Sequence, residues 1–485
     1  MEIMFIWSFA AYIAVMIFIG WFVTRKQRGG EQFLLGGRNL PLLLTLGTTV
    51  ATMVGTGSSM GAVGFAYNNG WAGTLYGLGG AVGILLLAWL FAPIRQLKFM
   101  TMSEELAYYV GAKVQIKNLI AVIIFIASIG WLGAHIIGGG MYLAWLMDID
   151  IGWAKVIVAL SFTLYVIIGG YTAVVWTDAI QALILFSGFI LMALFSIHFI
   201  GGWQPMLAAQ PLENLSLFAT EKIGIIPALS LAAAVMVGVL ATPSFRQRIY
   251  SGRDVSSIRK SFTYSGILYL FFSFIPAIIG MAAFATSPEL NNASFAFPHI
   301  ALNIMPLWLG ALIVIAGISA TMSSASSDAI AAVSVVLRDL YYLGRGQMPT
   351  PNQVVLLSRI ALAMTIALAL LLALSSDNII SYITTMIAVL MSGLCSCSIL
   401  GRFWQRFNWQ GAMASLILGS LTAIVVTQIP HWLSFWGNPI LPSLIAALLG
   451  GIIVSLCTPA CGVSQAQALA ILSQQREQME QEQAS

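Results

Sequence analysis

Gly317-Ile-Ser-Ala-Thr-Met-Ser-Ser-Ala-Ser-Ser-Asp328 lies inside an apolar run that reaches from Pro306 to Leu337. Such polar groups are costly in hydrocarbon, at roughly 2.5–3.5 kcal/mol for an Asp at the centre of a transmembrane helix. A polar cluster at that depth marks a lined site for something small and hydrophilic. Serine hydroxyls and carbonyls released from a helix are hard oxygen ligands, suited to an alkali cation and not to a soft metal. The segment predicts a membrane carrier that moves a solute with a bound ion.

The rest of the chain agrees with a bilayer setting. Of 485 residues, 59% are hydrophobic and 8% charged, against about a quarter charged in a soluble domain. Charge-free runs such as 40–94 and 407–475 far exceed the ~20 residues that one span needs. Thirteen helices are predicted, at about 3–24, 40–65, 72–94, 118–145, 153–170, 178–200, 223–244, 261–286, 303–337, 353–374, 379–400, 408–428 and 439–457. The first is too long for a signal-peptide core and lacks a small-residue cleavage site, so it counts as a span. A transporter domain is expected over 1–458 and a polar cytoplasmic tail, helical or disordered, over 459–485.

Basic residues fall on alternate connections. Arg25, Lys26, Arg28 and Arg38 follow helix 1; Arg95, Lys98, Lys113 and Lys117 follow helix 3; Arg246, Arg248, Arg253, Arg259 and Lys260 follow helix 7. Arg338 and Arg345 follow helix 9, and Arg402 and Arg406 follow helix 11. These are 17 of the 21 basic residues, and the positive-inside rule makes their side cytoplasmic. The opposite connections hold Lys155 and Lys222 with Asp148, Asp150, Glu213, Glu289 and Asp377. The N-terminus is expected outside and the C-terminus inside, in a bacterial cytoplasmic membrane.

A net charge of +4 that sits at membrane ends calls for no nucleic-acid partner. Cys395, Cys397, Cys457 and Cys461 fall in or near spans without an extracellular pairing pattern, so packing is their expected role. The histidines are scattered, and no nucleophile–base or metal constellation stands out, which speaks against an intramembrane enzyme. A monomer is expected.

Two helices carry interruptions. Helix 2 contains Ala51-Thr-Met-Val-Gly-Thr-Gly-Ser-Ser-Met-Gly61, whose glycines weaken the helical ladder at mid-membrane. Irregular backbone is tolerated there only where it lines a cavity or is buried in protein; close Gly-x-x-x-Gly packing is the other reading. Helix 7 contains Gly238 and Pro243, and the proline removes a backbone donor. A spacing of five helices between breaks fits two inverted five-helix repeats whose broken helices meet at the midplane. Repeat one would cover about 40–200 and repeat two about 223–400, with 3–24, 408–428 and 439–457 as extra helices.

Gly169-Gly-Tyr-Thr-Ala-Val-Val-Trp-Thr-Asp-Ala-Ile-Gln181 resembles the GG-x-x-AV-x-WTD-x-x-Q stretch of the sodium:solute symporter family, whose members include bacterial proline, pantothenate, sialic acid and sugar symporters. Phe33-Leu-Leu-Gly-Gly-Arg-Asn39 is similar to the family's FLGGR loop, and the serine run agrees too, so that the resemblance covers about 3–458. It implies an all-α LeuT-type inverted-repeat fold with helices 2 and 7 broken. It also implies a sodium site on Ala51 and Val54 of helix 2 with Ala320, Ser323 and Ser324 of helix 9. The chemistry of the residues concurs, since 320, 323 and 324 share a helical face and neutral oxygens suit a monovalent cation. A second sodium, present in some members, would fall on Asp178, Ser323, Ser326 and Ser327, so one or two Na+ ions are expected. Asp178 is placed beside a cytoplasmic connection, where a solvated carboxylate is ordinary. Asp328 could strengthen an ion site, carry a proton, or reach for water.

The solute is expected near Met53, Gly55, Ser58, Tyr76, Trp131, His135 and Thr242, with helix 11 completing the pocket. Sugar carriers of the family resemble one another in amide and acidic side chains where this chain has Met53, Ser58 and Gly77. Sialic acid carriers have an arginine where it has Trp131. Both ligands are therefore disfavoured. The expected pocket is small, glycine-rich and largely uncharged, with His135 as its titratable residue, and takes a small carboxylate or amino-acid-like solute. Sodium-coupled symport by alternating access is the leading expectation. A proton-coupled carrier of the same fold, using Asp178 or Asp328, is the alternative.

Overall fold

The computed structural model describes residues 2–25, 30–346, 349, 351–375 and 379–482. Lys26, Arg28 and Asp377, which contributed to the charge asymmetry, lie outside them. Among the described residues every named element is helical. α1 (Glu2–Thr24) precedes a broken α2, whose first half α2a spans Leu42–Met53 and whose second half α2b runs from Gly57–Ala62 into Val63–Asn69. α3 begins with Thr74–Leu86, and α4 covers Val114–Met147. Ile151–Phe199 is divided at Gly170 into α5 (151–169) and α6 (171–199). α7a (Ile225–Ala241) and α7b (Pro243–Ser251) meet at a 44° bend. There follow α8 (Val255–Thr286), α9 (Leu307–Val335), α10 (Pro351–Ala373) and α11, from Ile379–Met386 on to Ser392–Phe403. α12 (Trp409–Gln428), α13 (Ile440–Cys457) and a tail helix α14 (Gln465–Glu482) end the chain. Ten described helices are long and apolar enough to cross a membrane, eleven with the bent pair, and Leu42–Met53 and Ile151–Leu164 are shorter apolar ones.

α9 runs through the centre, buried along nearly its whole length, and packs against α2a, α4, α5–α6 and α10. Small residues make such approaches possible without a hydrophobic drive between helices. Gly317 of α9 takes the Tyr142 ring of α4, Gly79 of α3 lies against the Ala232 backbone of α7a, and Gly140 of α4 against Lys155 of α5. The outer helices α1, α10, α12 and α13 turn Trp7, Phe18, Leu371, Ile417 and Ile453 outward, giving the apolar belt that a bilayer covers.

Three expectations change. Helices 5 and 6 are not joined by a connection over 170–178: the helix kinks at Gly170 alone (φ 58°, ψ −157°) and α6 starts at once. Asp178 is therefore inside a helix and fully buried, not a solvated carboxylate at a membrane edge. Arg246 and Arg248 belong to α7b, not to a loop, and both are fully buried, so they carry no topological information. The tail is not simply polar: α14 buries Ala468 and Leu472, and Arg476 Nε reaches Glu104 Oε1 at 2.8 Å. Burial lifts the Glu104 carboxyl above its ordinary range, against the pull of Arg476 and of the Met100 N–H.

Only glycine tolerates the backbone at position 170, and an added Cβ would meet the Phe33 carbonyl oxygen at 2.8 Å. Gly170→Ala is expected to lose on the order of 1–3 kcal/mol. A clear fall in the melting temperature of the detergent-purified protein checks it; an unchanged one contradicts it.

Candidate functional site

α2a stops at Met53 because the chain leaves helical geometry at Val54 (φ −84°, ψ 59°) before re-forming a wide turn from Gly57. The break releases carbonyls in a region with no water to satisfy them, and α9 supplies the partners. Ser323 Oγ donates to the Ala51 carbonyl at 3.0 Å, and Ser324 Oγ donates to the Thr52 carbonyl at 3.0 Å. Both hydroxyls also lie by the Ala320 carbonyl, at 3.0 and 3.2 Å. Ala51, Val54, Ala320 and Ser323 are wholly enclosed, and Ser324 is 1% exposed. Of the five expected sodium residues, Ala51, Ala320, Ser323 and Ser324 meet in these bonds and Val54 stands at the break itself, and Thr52, which the sequence did not single out, joins them. Gly55 is what permits the approach, since a Cβ there would collide with Ser324 Oγ.

The second set is only partly assembled. Ser327 Oγ and Thr48 Oγ1 both donate to Asp178 Oδ2, at 3.0 and 2.6 Å. Ser326 instead donates to the Ser323 carbonyl along its own helix at 3.0 Å. The corner also holds Arg248, whose Nη2 lies 3.5 Å from Asp178 Oδ2 and donates to Ser327 Oγ at 2.8 Å and to Thr48 Oγ1 at 2.8 Å. Its Nη1 donates to the Ser244 carbonyl at 2.8 Å. Arg248 escaped notice because it was counted with loop charges; Pro243, a residue suited to the first turn of a helix, was the available signal that a second half-helix follows the break.

Below the α2 break, toward α4 and α7, lies a narrow cavity. Met53, Gly55, Tyr76, Trp131, His135 and Thr242 line it as expected, together with Ser324, Phe245 and Asp328. Ser58 does not: its hydroxyl is 2.6 Å from Tyr269 Oη and donates to the Met53 carbonyl at 3.0 Å. No described α11 residue lines the cavity; Met391 lies behind Thr242, with its Sδ 3.7 Å from Oγ1. Nor is His135 its one titratable residue. Asp328 is one helical turn beyond Ser324, which puts both on one face, and its Oδ2 lies 3.1 Å from His135 Nε2. At 4% exposure Asp328 does not reach for water. His135 Nδ1 is 3.2 Å from Thr56 Oγ1, and its ring stacks on Trp131.

A buried helix break satisfied by serine hydroxyls, beside a lined cavity within an all-helical bundle of membrane length, defines a membrane carrier of the LeuT-type fold. A model of the sodium:solute symporter family matches residues 33–419, and the chain belongs to that family. It is 25% identical over 475 residues to the sodium/pantothenate symporter of Escherichia coli (strain K12), covering 93% of this chain and 95% of that protein. It is 25% identical over 479 residues to the sodium/proline symporter of the same organism, covering 93% and 92%. In structure it is similar to a Na+-coupled sialic acid symporter solved substrate-bound and outward-open, with a TM-score of 0.81, 19% identity, and 95% and 98% of the two chains covered. The family and its structural neighbours are transporters, not enzymes.

Two outcomes follow from this packing. Gly55→Ala should cost about 1–3 kcal/mol through overpacking against Ser324, and Gly55→Ala/Ser324→Ala should recover most of it; a thermal-melt cycle without this rescue contradicts the contact. Arg248→Met should cost about 3–5 kcal/mol by leaving Asp178 a buried, uncompensated carboxylate. Asp178→Asn added to it should restore much of the melting temperature.

Proposed function

We propose that the chain carries a small organic solute into the cell with sodium by alternating access, and that Ala51, Val54, Ala320, Ser323 and Ser324 hold the ion. The observation that supports this most is the pair of α9 hydroxyls lying on the carbonyls of the α2 break. A sodium ion there would take the lone pairs of these oxygens, and each hydroxyl would turn its proton elsewhere. The ion would then tie α2a to α9 by five neutral oxygens. Ser324 belongs both to this corner and to the cavity wall, so ion and solute would share a boundary one residue thick. Binding of either shapes the site of the other.

One sodium per cycle is proposed, because at the Asp178 corner a guanidinium already supplies the positive charge. At −100 mV one inward charge contributes about 2.3 kcal/mol, roughly a 50-fold accumulation. The breaks in α2 and α7 support two inverted repeats over about 40–200 and 223–400, and the basic residues support a cytoplasmic C-terminus in a bacterial plasma membrane. The buried His135–Asp328 pair favours a second reading, proton coupling on the same fold. Uptake driven by a pH gradient with sodium absent would select it.

In proteoliposomes, Ser324→Ala should raise the half-saturating sodium concentration tenfold or more, a loss of about 1.4 kcal/mol. Wild-type sodium affinity in that variant would overturn the site.

A further inference from the structure

Five acidic side chains are buried among the described residues, and four have a cation. Glu104 pairs with Arg476 at 2.8 Å, Glu105 with Arg246 at 3.4 Å, Asp178 with Arg248 at 3.5 Å and Asp339 with Lys117 at 3.4 Å. The fifth, Asp328, has only His135, and it alone of the five lines the central cavity. A buried carboxylate demands a positive partner or several strong donors. His135 occupies Oδ2, and no hydrogen bond to Oδ1 is formed among the described residues.

The cavity walls are suited to the missing charge. Tyr76, Trp131 and Phe245 supply aromatic rings to the space that Asp328 borders, and ring faces attract a desolvated cation. Trp131 contributes a second unmet demand, because its buried Nε1–H has no acceptor among the described residues, and a buried donor left unpaired costs about 1–3 kcal/mol. One wall of the cavity thus asks for a positive group, and the Trp131 indole that also lines it holds an unpaired donor.

We propose that the transported solute is a small zwitterion, that Asp328 reads its protonated nitrogen, and that Trp131 Nε1–H meets its carboxylate. This inference rests on the transport reading above and narrows its substrate. His135 acts as a positioning residue: it holds Oδ2, and Thr56 holds the other ring nitrogen. The sodium ion then needs no carboxylate of its own, consistent with an ion corner built of neutral oxygens.

The experiment compares amino acids bearing a primary α-ammonium with the matching 2-hydroxy acids, in which a hydroxyl replaces only the ammonium. Sodium-dependent thermal stabilisation and uptake by the full chain in nanodiscs and proteoliposomes are the readouts. At least one of these amino acids should bind tenfold or more tighter than its hydroxy analogue, and Asp328→Asn should shrink that ratio to within about threefold. Asp328→Asn should keep the melting-temperature shift given by sodium alone, which also reports that it is folded, and Asp328→Glu should keep part of the discrimination. The proposal is overturned if no nitrogen-bearing probe binds, if hydroxy acids bind equally well, or if Asp328→Asn keeps the wild-type discrimination. Wild-type discrimination without any sodium response would uphold this inference and sink sodium coupling instead.

Discussion

The structure depends on the backbone carbonyls that α2 gives up at its break. Hydrocarbon offers nothing to receive them, so the chain must bring its own donors. α9 does so with Ser323 and Ser324, which arrive at Ala51 and Thr52 from some 270 residues away in sequence, the separation being 272 for both bonds. Once that meeting is required, much else is constrained. α9 has to run through the middle of the bundle, its neighbours have to be thin at the crossing points, and glycine has to stand opposite Ser324. The same oxygens that stabilise the break are the ones an alkali ion would bind, so scaffold and site are one set of atoms.

Much of this was legible in the sequence, for identifiable reasons. The serine run was visible because polar groups inside an apolar stretch are rare, and the two breaks because Gly55, Gly57 and Pro243 disturb a helix in known ways. The face shared by Ala320, Ser323 and Ser324 follows from helical periodicity alone. What escaped was mostly a matter of where charge goes. Asp178 and Arg248 each looked like a residue at a membrane edge, because a lone charge near the end of an apolar run ordinarily is one. Their partnership joins two helices 70 residues apart in sequence, and no local pattern announces a pairing of that kind. Likewise Ser58 has the right type and position for a pocket, yet Tyr269 claims its hydroxyl. The kink at Gly170 was missed because a single residue did the work expected of a loop.

Charge compensation gives the interior a common logic. Buried acids and bases are matched across helix boundaries, and each match fixes two elements against each other: α6 to α7b at Asp178, and the helix Met102–Tyr109 to α7b at Glu105, where Tyr109 and Tyr250 add their hydroxyls. Removal of one partner is far costlier than removal of both, since the survivor stays desolvated. The cavity departs from this pattern at Asp328, and that departure marks it as a place where part of the binding partner comes from outside the protein.

The same bookkeeping reaches the end of the chain. Glu104 stands next to Glu105, and its cation comes from Arg476 on α14, which also donates to the Lys98 carbonyl at 2.8 Å. Two consecutive glutamates therefore connect the last helix to α7b, the half-helix that follows the second break. Shortening the protein before Arg476 would leave Glu104 without that cation. The C-terminus is thus a poor place for a cut and an informative one for a fluorophore, since α14 is tied through Glu104 and Glu105 to the half-helix after the second break.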